Sequence, residues 1–337
     1  MTTTSRSSST RFAALVQDFF CRRLIDQQNA SEQTVAAYRD TFRLLLGFLQ
    51  GTRNIAPASL TLADLDAETM AAFLDYLESQ RHNSIRTRNA RFAAIRSFLK
   101  YATARDPESL PTVQRVLTIP MKRFARPTLG YLSREEITAV LEAPHISTWS
   151  GHRDRVLFSL LYNTGARVSE AVALRRSSLT LKPARRVEIK GKGRKQRIIP
   201  LWKSTAARLN EWLERIDAAP ETPLFPNRRG QPLSRSGVER RLCGAVRIAA
   251  SVCPTLTVKR VSPHTFRNTT AMHLLQSGVD ITVIAMWLGH ESPATTHQYV
   301  EANLAMKDQA LAKLEELPTR KVRYRPTDKL LQFLDSL

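Results

Sequence analysis

Apolar residues recur at intervals of three and four through the first hundred positions, the spacing typical of amphipathic helices. Four stretches show the pattern, namely 12–19, 31–49, 67–80 and 83–104. Ser31 is a favourable N-cap for the second stretch. No alternating strand pattern interrupts them, so residues 11–105 are predicted to form a small helical bundle.

The composition then changes to that of a linker. Residues 106–130 contain four prolines among several basic side chains. Proline interrupts helices, and a basic segment is suited to lie along a polyanion. We therefore predict a linker over 106–130.

Helical spacing returns in residues 131–318, with one exception. Arg186–Ile189 and Gln196–Ile199 are predicted to form two short strands. Gly191 and Gly193 lie between the strands and suit a tight turn. Lys192 is therefore predicted to lie at the exposed tip of a hairpin.

Both ends of the chain have distinct patterns. Residues 1–10 are polar and rich in Ser and Thr, which predicts a disordered leader. Residues 319–337 combine a basic connector with a short helix that Thr327 would cap. Its apolar face comprises Leu330, Phe333, Leu334 and Leu337. So short a helix is not stable alone in water, so this face must dock on its own domain or on another copy.

The net charge of the chain indicates which class of partner it binds. The chain carries 51 Lys and Arg against 30 Asp and Glu, a net charge of +21. Such an excess favours nucleic acid. A membrane surface is the alternative, but no apolar run approaches the ~20 residues needed to cross a bilayer. The three scattered cysteines fit a reducing cytoplasm and are expected to be buried or half-buried.

Helix signals bring several reactive side chains together in the last part of this domain. Ser262 and Pro263 predict a helix start, so His264 and Arg267 share one face. Gly289 predicts a helix end with His290 just beyond it. Another short helix, starting at Ser292-Pro293, would carry Tyr299 near its far end.

An upstream arginine belongs with this set. Gly165 is predicted to end one helix, and Arg167 opens the next, where free backbone amides attract anions. Glu170, one turn further on, is predicted to hold the Arg167 side chain. Arginines, histidines and a phenol together suit transfer of a phosphoryl group to an oxygen nucleophile.

Simpler interpretations exist for each residue alone. Arginines usually form surface ion pairs, and His264 and His290 would suit a metal if cysteines or carboxylates stood nearby at ligand spacing, which they do not. Tyr162, in an apolar run, is expected in the core, and Tyr324 in the basic tail is expected to be a contact residue. Tyr299 is therefore the predicted nucleophile.

In order and approximate spacing, these residues resemble the tyrosine recombinase family, the phage-integrase and Xer-like site-specific recombinases. The matching positions are Arg167, Lys192, His264, Arg267, His290 and Tyr299. The resemblance covers about residues 11–305. It implies a mainly α fold: an N-terminal SAM-like core-binding bundle and a mostly helical catalytic domain with a small β-hairpin or sheet.

The resemblance also implies a mechanism and partners. Tyr299 would form a 3′-phosphotyrosyl link, with Lys192 as general acid and no cofactor or metal. A homotetramer would act on two double-stranded DNA sites through a Holliday junction, the tail docking on a neighbouring protomer. Accessory recombinases and directionality factors are candidate partners. The bundle would face DNA through Thr34, Arg86, Arg88, Arg91, Arg96 and Lys100, and the basic linker would lie along DNA through Lys122, Arg123 and Arg126.

Two other functions share these features. A type IB topoisomerase-like enzyme uses similar chemistry but relaxes supercoils as a monomer, and the N-terminal bundle and tail helix favour recombination instead. A non-catalytic DNA-binding regulator is disfavoured by the full set of six residues. The expected context is a mobile element, although phage integration and chromosome or plasmid resolution use the same residues.

Overall fold

The computed structural model describes residues 12–125, 129–191, 196–290 and 296–299. The chain divides into two compact units, Met1–Arg126 and Pro127–Leu337. Each unit has its own cluster of buried apolar side chains. A smaller apolar cluster in the second unit includes Tyr299.

The described part of the first unit is built from helices, as the periodicity predicts. Helix α1 (residues 12–18) continues as the π-helix Phe19–Gln27, followed by α2 (Glu32–Arg53), α3 (Ala67–Ser79), α4 (Ile85–Thr103) and α5 (Leu110–Thr118). Ser31, Asp66 and Ser84 cap α2, α3 and α4, each accepting a hydrogen bond from a backbone amide of the first turn.

Aromatic rings form the centre of this bundle. The Phe98 ring lies edge-on to Phe42, with 5.2 Å between ring centroids, and to Phe19, with 5.5 Å. Edge-to-face pairs of this kind add to the free energy gained by burying apolar area. The π-helix, α2 and α4 are thereby packed together.

The linker prediction is wrong for residues 107–118. Pro107 opens a 3₁₀ turn and Pro111 lies in the first turn of α5, where a helix has no need of the missing amide proton. Val113 and Val116 of α5 are buried in the core of the first unit. These prolines therefore begin helices instead of preventing them.

The chain after α5 is hydrogen-bonded to α4. The Asn89 side chain donates a hydrogen bond to the Lys122 carbonyl at 2.8 Å and accepts one from its amide at 3.3 Å. Lys122 Nζ pairs with Glu78 at 2.7 Å. Any linker between the units therefore begins after Lys122.

In the second unit, helices surround a small sheet. Its elements are α6 (Arg134–Glu142), α7 (Trp149–Thr164), α8 (Val168–Ala173), β1 (Leu179–Thr180), β2 (Arg186–Lys190), β3 (Gln196–Pro200), α9 (Lys203–Leu213), α10 (Arg235–Ala249), α11 (Pro263–Gln276) and α12 (Ile281–Leu288). The strands form an antiparallel sheet in the order β1-β2-β3, with Ile189 opposite Arg197. The two predicted strands pair as antiparallel neighbours, and β1 adds a third strand.

Helices α7 and α11 lie at the centre of this unit, and most of their residues are buried. Phe158 of α7 packs against Phe266 of α11, with 6.0 Å between the ring centroids. The first turns of α11 carry His264 and Arg267, and Arg167 lies just beyond the carboxyl end of α7.

Several predictions fall outside the described residues: the leader at 1–10, Lys192, Arg126, and the tail helix with Leu330, Phe333, Leu334 and Leu337. Within the described ranges, no helix is both long and apolar enough to cross a membrane. Cys21 and Cys243 are exposed and Cys253 is half-buried, so the expectation of buried or half-buried thiols is wrong for the first two.

Candidate active site

Arg167 is held at the junction of α7 and α8. Gly165 ends α7 with a φ of +60°, and a Cβ there would lie 2.4 Å from a methyl of Leu288. Arg167 is the N-cap of α8, where its amide and its Nη1 each donate to Glu170 at 2.8 Å. The Arg167 side chain remains 42% exposed, so a ligand can reach it.

Glu170 holds two arginines at once. Its buried carboxylate also accepts hydrogen bonds from Arg197 of β3, at 2.7 Å from Nη2 and 3.3 Å from Nη1. Burial raises the pKa of the Glu170 carboxyl, but hydrogen bonds from Arg197 and Arg167 outweigh it, and the pKa lies below its usual value.

Arg267 lies deeper than Arg167. Ser262 caps α11 and Pro263 occupies its first turn, as predicted, and Arg267 points inward from the next turn. Its Nη1 donates to the Gly165 carbonyl at 2.7 Å and its Nη2 to the Leu288 carbonyl at 2.8 Å. Arg267 thus joins the carboxyl ends of α7 and α12. Burial, and then the charge of Arg167, lower its pKa to about 10, so it is charged at neutral pH.

His264 lies on the same helix but is exposed, in contrast to Arg267, which is 3% exposed. A positive charge on His264 is one of the causes that lower the pKa of His290. His264 is therefore near the site and open to solvent.

His290 follows Gly289, which ends α12 with a φ of +66°. Its Nδ1 forms a hydrogen bond of 2.7 Å with the buried hydroxyl of Thr296. Its ring stacks on that of Tyr299 with 6.1 Å between centroids and 10° between planes. Burial, and then the charges of Arg267 and Arg167, lower the pKa of His290 to about 4. The imidazole is neutral at physiological pH.

Tyr299 is 1% exposed. Its hydroxyl donates a hydrogen bond to Asn268 Oδ1 at 3.3 Å. Burial raises the pKa of the phenol, and the nearby Arg267 charge opposes that rise only in part. The hydroxyl is therefore protonated and enclosed in this state.

The structure brings Arg167, Arg267, His290 and Tyr299 together, with Glu170 beneath the first arginine. Three neighbours went unnoticed in the sequence: Arg197, Asn268 and Thr296. Alternation along β3 puts Arg197 on the same face as the buried Ile199 and opposite the exposed Ile198. The sequence carries no signal for that choice of face, because positions 198 and 199 are both isoleucine.

The predicted DNA contacts differ in exposure. Arg86, Lys100, Lys122 and Arg123 are exposed, whereas Thr34, Arg91 and Arg96 are half-buried. Arg88 is 4% exposed, pairs with Glu78 at 3.2 Å and lies 5.9 Å from the centroid of the Phe92 ring. The prediction for Arg88 is therefore wrong, because a buried, paired guanidinium is not available to a phosphate. Arg126 lies outside the described residues.

Tyr162 has a packing role, as expected. Its hydroxyl forms a hydrogen bond of 2.8 Å with Nδ1 of the buried His273, and its ring lies against Trp202. Across the described ranges, no cluster of three His, Cys, Asp or Glu side chains is arranged to hold a metal ion.

Comparison with known proteins identifies the family of the chain. The phage integrase family model matches residues 130–306, and the model of the N-terminal SAM-like domain of phage integrases matches residues 5–106. The chain belongs to this family, the tyrosine recombinases, and is a site-specific recombinase by family.

Named relatives span nearly the whole chain. The Sinorhizobium fredii protein named "Putative integrase/recombinase y4rC" is 46% identical over 325 residues, covering 96% of this chain and 98% of the relative. Tyrosine recombinase XerD of Pseudomonas putida is 30% identical over 303 residues, covering 87% and 94%.

Solved structures confirm the mainly α fold. The Tn1549 transposon integrase in complex with circular intermediate DNA is 15% identical, with a TM-score of 0.67, covering 90% of this chain and 99% of that one. XerH bound to its palindromic difH substrate is 21% identical, with a TM-score of 0.65, covering 85% and 81%. At these identities the likeness concerns the fold.

Proposed function

We propose that this recombinase cleaves and rejoins DNA strands through a covalent bond between Tyr299 and the 3′-phosphate. The observation that carries the proposal is the grouping of two arginines and a histidine around the Tyr299 ring. A phenol is an oxygen nucleophile, and the cations beside it suit the anion that it would attack.

The two arginines would share the stabilisation of charge in the transition state. A phosphodiester gains negative charge on its non-bridging oxygens as the nucleophile approaches, and fixed cations lower the energy of that state. Arg167 presents an exposed guanidinium, whereas Arg267 is fixed by two backbone carbonyls. His290, neutral at physiological pH, would contribute hydrogen bonding without further positive charge.

In the proposed step, the Tyr299 oxygen bonds to phosphorus and the bond from phosphorus to the 5′-oxygen breaks. The phenol proton would pass to a base, for which His264 is the proposed acceptor. Lys192 would give a proton to the departing 5′-oxygen. The hydroxyl must leave Asn268 before it can attack, so we infer that the enclosed state described here precedes cleavage.

Rejoining reverses the step: a 5′-hydroxyl attacks the phosphotyrosyl bond and releases Tyr299. When that hydroxyl comes from a second duplex, strands are exchanged. We propose a homotetramer on two sites, passing through a Holliday junction, with the tail helix docked on a neighbouring protomer. The relative named an integrase supports a role in moving an integrating element.

A suicide substrate tests the chemistry. The oligonucleotide would carry a nick close to the cleavage site, so that the short fragment bearing the free 5′-hydroxyl diffuses away and the covalent protein–DNA complex is trapped. We expect the complex to form at a near-normal rate in excess EDTA, since arginines replace the metal used by many nucleases. A requirement for magnesium would contradict the metal-free part of the proposal.

A two-site assay separates recombination from relaxation. A plasmid with two copies of the site should yield exchanged products. Relaxation of supercoils without exchange would favour the topoisomerase-like alternative, and binding without any covalent complex would favour a non-catalytic regulator.

A further inference from the structure

Arg197 contacts two separate elements next to the candidate active site. It lies on β3, and its side chain is only 11% exposed. Its Nη2 and Nη1 hold the two oxygens of Glu170 at 2.7 and 3.3 Å. Its Nε donates to the Trp287 carbonyl, near the end of α12, at 3.0 Å. One side chain thus links β3 to α8 and to the turn that precedes His290.

Glu170 connects Arg197 to Arg167 through hydrogen bonds. Each oxygen of Glu170 accepts from both residues: Oε1 from the two guanidinium groups, and Oε2 from Arg197 Nη2 and the Arg167 amide. A carboxylate gripped on both oxygens cannot rotate freely. The orientation of the Arg167 guanidinium therefore depends on Arg197 as well as on Glu170.

We propose that Arg197 is a positioning residue for strand cleavage, which fixes Glu170 and, through it, the guanidinium of Arg167. The inference rests on the proposed function, because it takes Arg167 to bind the reacting phosphate. Arg197 itself need not touch DNA.

The contacts require an arginine at this position. A guanidinium is a planar fork with five N–H donors, whereas lysine offers one flexible ammonium group. Lysine at 197 would keep the charge but could not hold both oxygens of Glu170 and the Trp287 carbonyl together. The approach is also close: a Cβ on Gly289 would lie 3.0 Å from Arg197 Nη1.

A purely structural role would be to stabilise the fold by the same contacts. The two roles differ in how Arg197 couples to Arg167. If Arg197 acts by positioning Arg167, replacing Arg197 no longer slows cleavage once Arg167 is absent. If Arg197 only stabilises the fold, its replacement has the same effect whichever residue is at 167.

The test is a double-mutant cycle on the suicide substrate, measured in single turnover. Arg197→Lys should slow cleavage about 10- to 100-fold, as a misplaced catalytic group does. In an Arg167→Ala background the same change should alter the rate by less than about twofold. In a Lys192→Ala background the full loss should remain, since Lys192 is not the group that Arg197 positions.

Arg186→Lys is the matched control, because Arg186 lies exposed on the adjacent strand β2. It should leave the rate unchanged. Should Arg197→Lys fail to fold, Arg197→Gln takes its place in the same cycle. Equal losses with and without Arg167, or no loss in the parent chain, would overturn the inference. Absence of any covalent complex from the parent chain would count against the proposed function itself.

Discussion

The two units bury different kinds of side chain. In the first unit, the buried residues of α2 and α3 are apolar apart from two threonines. In the second, α7 and α11 bury charged and polar groups, among them Asp154, Asn163, Arg267 and Asn268. A buried polar group lowers stability unless it is hydrogen-bonded. The second unit thus relies on hydrogen bonds between buried polar groups, and those of Arg267 and Asn268 lie in the candidate active site.

Two buried arginines, one in each unit, make this contrast testable. Arg267→Ala removes hydrogen bonds to the Gly165 and Leu288 carbonyls as well as a charge beside Tyr299. We expect a loss of roughly 3 kcal/mol in the free energy of unfolding and at least ~100-fold slower cleavage. Urea unfolding and the suicide-substrate assay measure the two effects.

Arg88→Ala is the counterpart in the first unit. It breaks the pair with Glu78 and the contact with Phe92, so the unfolding free energy should fall while the rate of cleavage on bound DNA stays the same. If Arg88→Ala slowed bound-state cleavage as much as Arg267→Ala, the division of roles between the units would be wrong.

A smaller effect is expected from exposed cations of the first unit. Replacing Arg86 and Lys100 by alanine should weaken DNA binding and reduce the slope of log affinity against log salt by about 2, since two phosphate contacts are lost. Arg88→Ala should leave the slope unchanged, because Arg88 is buried. An unchanged slope in the double variant would show that this face of α4 does not meet DNA.

The smallest effect concerns protonation. His290 has a folded-state pKa of about 4, lowered by burial and by Arg267 and Arg167, against about 6.5 for an ordinary histidine. Because the unfolded chain binds the proton more tightly, His290 contributes stability above about pH 6.5 that is lost as the pH falls towards 4. NMR titration of labelled histidine should place its midpoint near 4. A midpoint near 6.5 would contradict the buried environment.

Local signals account for what the sequence could predict of the fold. Ser31, Ser262-Pro263, Gly165 and Gly289 cap helices through contacts within a few residues, and all four were recognised. The sequence predicts a break at Pro111, because the packing of Val113 and Val116 that stabilises α5 is tertiary and leaves no local signal.

In the candidate site, too, some residues could be predicted from the sequence and others could not. The motif residues could be identified because their order and spacing resemble a family. Arg88 looked like its neighbours on α4, since helical periodicity does not reveal that Glu78 lies beside it. Asn268 and Thr296 contact Tyr299 and His290 only in the folded chain, so nothing local pointed to them.

The identity of the nucleophile tests the account most directly. Tyr299→Phe and Tyr162→Phe each remove one hydroxyl from a tyrosine of the second unit, and only the first lies beside Arg267 and His290. On the suicide substrate, Tyr162→Phe should form the covalent complex, and mass spectrometry should find the DNA on the peptide containing Tyr299. Tyr299→Phe should bind the site and form none. A covalent complex with Tyr299→Phe, or DNA attached to any other residue, would contradict the account.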